Sequence, residues 1–201
     1  EKADETYTIK AIAKAPESYL TMLVSGDSLN EVMLTLLYSN IKGKWQISGI
    51  TGEDYSLRGK NAIQLYNYSQ ALQKNNYMMD AINIMGMSDH CLKPGGNIFE
   101  FKKNKEIKQY SDSLTSRVKR KYPFPYTVNE VATKPLIVNI HYQLEYNEFI
   151  PMIVYQTVIN VLDTVSLKQE NDQMQKNIGK IFYGMDKNNR HLFYRAYNEL
   201  P

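Results

Sequence analysis

An α+β fold is what the sequence predicts, and three observations predict it. Strand-type alternation occupies both ends of the chain. A helical period occupies the middle. The elements do not alternate one for one, as a doubly wound sheet requires. The expected order is an antiparallel β-meander over 1–58, a three-helix segment over 59–122 and a ββαβ unit over 123–201, packed as one domain or two.

The meander is read first. In TYTIKAIAKA, Thr6, Thr8 and Lys10 alternate with Ile9, Ala11 and Ala13. Ala15-Pro16-Glu17-Ser18 is a turn signal. YLTMLVSG, the turn Gly26-Asp27-Ser28 and EVMLTLLYSNI follow. Gly43-Lys44 marks the next turn, before Trp45, Ile47 and Ile50. Short β-rich runs broken by Gly, Asp, Asn and Pro are the signature of such a sheet.

In the middle, Ala62, Leu65, Tyr66, Ser69 and Leu72 share one face of a first helix. Met78, Ala81, Ile82, Met85 and Leu92 mark a second, after Asn75-Asn76, and Pro94-Gly95-Gly96 ends it. Ile107, Tyr110, Ser111, Leu114 and Val118 mark a third, stopped by Pro123 and Pro125. Its outer face and approach carry Lys102, Lys103, Lys105, Lys108, Arg117, Lys119, Arg120 and Lys121.

In the last region Leu136, Val138, Ile140, Tyr142 and Leu144 alternate with Asn139, His141 and Gln143. EYNE is the hairpin connection to IPMIVYQTVINVL, which is apolar on both parities and reads as a central strand. Asp163 or Thr164 caps a helix carrying Leu167, Met174, Ile178, Ile181 and Phe182. Asp186-Lys187-Asn188-Asn189 reads as a loop and HLFYRAYN as a closing strand.

Composition narrows the function classes. With 201 residues and 43% hydrophobic content the chain can bury a sizeable core. Its net charge of +3 is too small to imply a nucleic acid or an anionic membrane as partner. No apolar run reaches the roughly 18 residues of a membrane span. Cys91 is the one cysteine, so no intrachain disulfide forms. Tyrosine is abundant, at 16 against 6 Phe and 1 Trp, which suits half-buried sheet faces and adaptable binding surfaces. The start at Glu1 and the low cysteine content lead to the expectation of a part of a longer exported protein, in the periplasm or cell envelope.

Catalytic and cofactor motifs need spacings that this sequence does not offer. Gly52 and Gly59-Lys60 are too far apart for a phosphate-cradling loop, and Asn61 stands where its hydroxyl belongs. His90, His141 and His191 lie too far apart in sequence to pair as metal ligands on one helical face. Adjacent helical residues project about 100° apart, so Asp89-His90-Cys91 forms no triad by itself and Cys91 reads as a small buried hydrophobe. Glu53-Asp54 and the pair Glu145 and Glu148 read as solvated loop carboxylates, and Asn67-Tyr68-Ser69 as a chance glycosylation pattern inside a helix. No catalytic residue, metal site or cofactor is assigned.

Two partial resemblances add to this. Residues 62–94 resemble a single tetratricopeptide-type helical hairpin, with small Ser69 and Ala81 at its close-packing positions and Pro94 near its terminating proline. Met85 stands where that family has an aromatic residue, no tryptophan-like residue starts the first helix, and there is one copy. The resemblance implies protein or peptide contacts. Residues 19–50, ending in Gly43-Lys44-Trp45, are similar to the closing strands of NTF2-like domains, though the helices that open such domains are absent before residue 5.

The expected function is a non-enzymatic interaction module that contacts a protein or peptide partner through Tyr66, Tyr68, Tyr77, Arg117 and Arg120. The alternative is a small-ligand-binding or hydrolytic domain with a pocket between sheet and helices, lined by Trp45, Tyr55, His141 and Tyr155. A third, nucleic-acid binding through the basic helix, is disfavoured because the carboxylates Glu106 and Asp112 dilute its charge.

Overall fold

The computed structural model describes residues 6–12, 15–26, 29–145 and 148–199. The chain divides into two compact units, and the α+β class holds. One unit comprises residues 1–68 and 84–111, the other 69–83 and 112–201. Three helices, α1 (Ala62–Lys74), α2 (Met78–His90) and α3 (Asn104–Lys121), each contribute residues to both.

In the first unit, β2 (Ser18–Val24), β3 (Glu31–Ile41), β4 (Lys44–Leu57) and β5 (Lys60–Asn61) form an antiparallel sheet in sequence order. Two tight hairpins set its register. Lys42 and Gly43 have φ of 54° and 76°, and Arg58 and Gly59 have φ of 53° and 67°. Paired positive φ values match the right-handed strand twist in a two-residue turn. Asn61 then starts α1 with a reciprocal cap: its Oδ1 accepts from the Gln64 N–H, and Gln64 Oε1 accepts from the Asn61 N–H, both at 3.0 Å.

The meander expectation requires one correction. The first alternating run does not join this sheet. β1 (Tyr7–Ile9) pairs antiparallel with β6 (Phe99–Phe101), so Tyr7 faces Phe101 and Ile9 faces Phe99. Its ring stacking supplies the reason: Tyr7 lies 4.8 Å from Phe99, and Phe99 4.8 Å from Phe101, centroid to centroid. The turn residues Asp27 and Ser28 lie outside the described residues.

In the second unit, β7 (Tyr126–Thr127), β8 (Leu136–Glu145), β9 (Glu148–Gln156) and β10 (Phe193–Tyr197) form a sheet in the order β10-β9-β8-β7. β9 is central, as its two-sided apolar pattern requires, and the connection Tyr146-Asn147 lies outside the described residues. β10 pairs parallel with β9, so the sheet is mixed. Parallel neighbours need a crossover, and α4 (Thr164–Ile181) supplies it. Asp163 caps α4, its Oδ1 accepting from the Ser166 N–H at 3.1 Å, which also holds its carboxyl below the usual range. α4 buries Glu170, Met174 and Ile178. A further turn of helix, α5 (Met185–Asn188), stands where the sequence read as a loop.

Candidate functional site

The second unit carries a surface of tyrosines and lysines built on Phe182. Phe182 is fully buried, and Tyr122, Phe124 and Tyr126 gather around it at centroid distances of 5.0, 6.0 and 5.5 Å. This aromatic core fixes the residue that follows it. Tyr183 points outward, 46% exposed, and stacks on Tyr77 at 5.7 Å with an interplanar angle of 21°. Gly184 lies directly beneath the Tyr77 ring. It has φ +85°, and a Cβ there would overlap the ring carbons.

Positive charge borders the stack. Lys187 Nζ sits 5.4 Å from the Tyr183 centroid. Lys121 Nζ sits 5.2 Å from the Tyr122 centroid and 3.5 Å from Asn76 Oδ1, beside Tyr77. Arg117 and Arg120 precede Lys121 at helical spacing on α3, so Arg117 and Lys121 are neighbours one turn apart. Arg117 is half-buried, with Nε shielded and without an acceptor among the described residues, while Arg120 is exposed. Tyr77, Arg117 and Arg120 all lie in the second unit, where Tyr77 stacks on Tyr183 and Lys121 and Lys187 border the pair; Arg117 lies one helical turn before Lys121.

Tyr66 and Tyr68 belong to the first unit. Tyr68 is exposed, but Tyr66 is buried among helices and is not a contact residue. Its hydroxyl donates to Glu106 Oε1 at 2.8 Å, and burial, then Glu106, pushes its pKa up to about 12. It also meets Tyr110 edge-on at 5.2 Å.

The residues of the alternative pocket are divided as well. Trp45 and Tyr55 lie on β4 in the first unit, His141 and Tyr155 in the second. Tyr155 pairs with Ile137 and His141 with Met152, and β8 and β9 residues of these two pairs fall on opposite faces of the sheet. Tyr155 is fully buried, donating to Asn171 Oδ1 at 2.7 Å. A cleft of about 640 Å³ in this unit is lined by Thr133, Thr157, Lys134, Gln156, Asn160 and Asn198 among others, and none of the four expected residues lines it. Both threonine hydroxyls donate to Oε1 of buried Glu170, at 2.9 Å from Thr157, while its Oε2 is buried without a hydrogen-bond partner among the described residues.

Cys91 is fully buried, and burial, then Asp54, pushes its thiol up to about 12. His90 is exposed and sits 2.7 Å from the Asp54 carboxylate. No group of three metal-ligating side chains occurs among the described residues.

The first unit carries a second surface. On the sheet β2–β3–β4, Tyr19, Thr21 and Leu23 share a face with Leu34, Leu36 and Tyr38 and with Trp45, Ile47 and Ile50. Tyr19 and Trp45 touch, with ring centroids 5.1 Å apart. The opposite face packs Met22 and Thr35 close to Gly95.

The sequence reading missed Tyr183 and Lys187. A signal existed in GKIFYGMDK: adjacent aromatic residues at a helix end must project to different sides, so one of them faces out. Comparison with protein-family models, with curated proteins and with solved structures finds no match for the chain.

Proposed function

We propose that the chain is a non-enzymatic interaction module, holding an acidic protein or peptide segment on the tyrosine–lysine surface of its second unit. The observation that carries the reading is the Tyr77–Tyr183 stack, seated on Gly184 and bordered by Lys121 and Lys187. A rigid aromatic pair offers contact area at low entropic cost, and lysines beside it attract carboxylates. The resemblance of α1 and α2 to a tetratricopeptide-type hairpin supports the same reading. Nucleic acid fits less well. The two tyrosines occupy each other's faces, where a base would stack, and Tyr122 is buried.

A peptide array of acidic, neutral and basic sequences tests this. The chain is expected to retain acidic peptides selectively, and the retention should fall steeply with added salt. The Tyr77→Ala/Arg117→Ala variant should lose it, and Lys187→Glu, a change at an exposed site, should lose it without altering the fold. Equal retention of all peptides, or preferential capture of a single-stranded oligonucleotide at low salt, would sink the reading.

A further inference from the structure

One face of the β2–β3–β4 sheet leaves large apolar side chains exposed. Tyr19, Leu23, Trp45, Ile47 and Ile50 are 68, 53, 48, 55 and 66% exposed. No charged side chain stands among the residues of this face between Leu34 and Tyr38 and their partners on β2 and β4. At ~200 Å² per large side chain, these five expose roughly 580 Å². That lies at the upper end of the largest apolar patches on monomers, about 300–600 Å². Half-buried Leu34, Leu36 and Tyr38 add to it and bring the face near the ~800 Å² that each partner contributes to a stable complex.

We propose that a second copy of the chain covers this face, sheet against sheet about a two-fold axis. The area approaches what one half of such a dimer needs. The chemistry points the same way: the centre of the face carries no charge, with the carboxylates Asp54 and Glu17 only at its two ends, and uncharged apolar patches pair with themselves and are typical of homodimers. Twisted sheets packed face to face meet at about 30°, with their side chains interleaved. The Tyr19–Trp45 pair would then sit inside the contact.

Trp45 is the one tryptophan of the chain, so its fluorescence reports on this face directly. Sedimentation of the whole chain should give a mass twice that of the monomer at micromolar concentration. Dilution should return the monomer, with a red shift of Trp45 emission along the same curve. Ile50→Lys places a charge at a site already exposed in the monomer. It should leave the circular dichroism unchanged and raise the dimer dissociation constant about 30-fold or more. A wild-type chain that stays monomeric at every concentration overturns the proposal, as does an Ile50→Lys chain that dimerises as tightly as wild type. A monomer whose Trp45 emission shifts only on adding phosphatidylcholine vesicles overturns it too, in favour of a lipid surface.

Discussion

Replacing Asp80 by alanine is expected to destabilise the chain by about 3 kcal/mol, because it removes a buried acceptor shared by three side-chain donors and leaves a cavity in its place. Asp80 is 1% exposed, near the start of α2. Its Oδ1 accepts from Asn189 Nδ2 at 2.9 Å and from the Tyr142 hydroxyl at 3.2 Å, and its Oδ2 accepts from Asn188 Nδ2 at 2.9 Å. One carboxylate thus ties α2 to β8 and to the end of α5. At this chain length the loss corresponds to a fall in melting temperature of roughly 6–12 °C. The pH dependence carries a second signature. Burial raises the Asp80 pKa above its ordinary 3.8, and the three hydrogen bonds oppose that without cancelling it. A carboxyl raised in the folded state gives stability that is complete below the unfolded value and is lost as pH rises through the folded one. Asp80→Asn removes that titration. Its stability relative to wild type should therefore climb as pH rises from about 4 through the raised value. A flat difference across that window would show that the carboxyl is not held in its acid form by burial.

Gly184→Ala should cost about 3 kcal/mol, from a left-handed backbone that disfavours a Cβ and from overlap with the Tyr77 ring. The φ of +85° and the ring carbons beneath it are independent causes, and they separate experimentally. In Tyr77→Ala/Gly184→Ala the steric part vanishes, so the double variant should be less destabilised than the sum of the single ones. Strict additivity would place Tyr77 elsewhere. Because the alanine methyl displaces Tyr77 from Tyr183, the single variant should also bind acidic peptides more weakly than its loss of stability explains.

Much of the fold was legible because period and punctuation agreed. The 3.6-residue patterns of Leu65, Ser69 and Leu72 and of Ile107, Leu114 and Val118 placed α1 and α3, and the run IPMIVYQ placed β9 at the centre of its sheet. Ser69 and Ala81, read as close-packing positions, are both fully buried, and the Ser69 hydroxyl donates to the Ala81 carbonyl at 2.7 Å. What could not be read was pairing at a distance. Phe99–Phe101 is too short for a periodic signal, so nothing announced that it would capture Tyr7–Ile9. The candidate site was legible only as residue types. Tyr77, Arg117 and Arg120 were readable as residue types that bind, but Tyr183 meets Tyr77 across 106 positions, through a contact that no local pattern encodes. Tyr66 misled because its helical phase fits a buried stripe and its residue type fits a contact surface. Its hydrogen bond to Glu106, forty positions on, decides for burial.

The central claim is that the Tyr77–Tyr183 surface holds an acidic segment, and amide chemical-shift mapping tests it most directly. The chain would be titrated with a short peptide rich in Glu and Asp and its resonances followed residue by residue. The account predicts saturable shifts confined to Asn76, Tyr77, Arg117, Lys121, Tyr183, Gly184 and Lys187, absent in Lys187→Glu. Shifts centred instead on Thr133, Thr157 and Asn198 around the second unit's cleft, or none at saturating peptide, would contradict it.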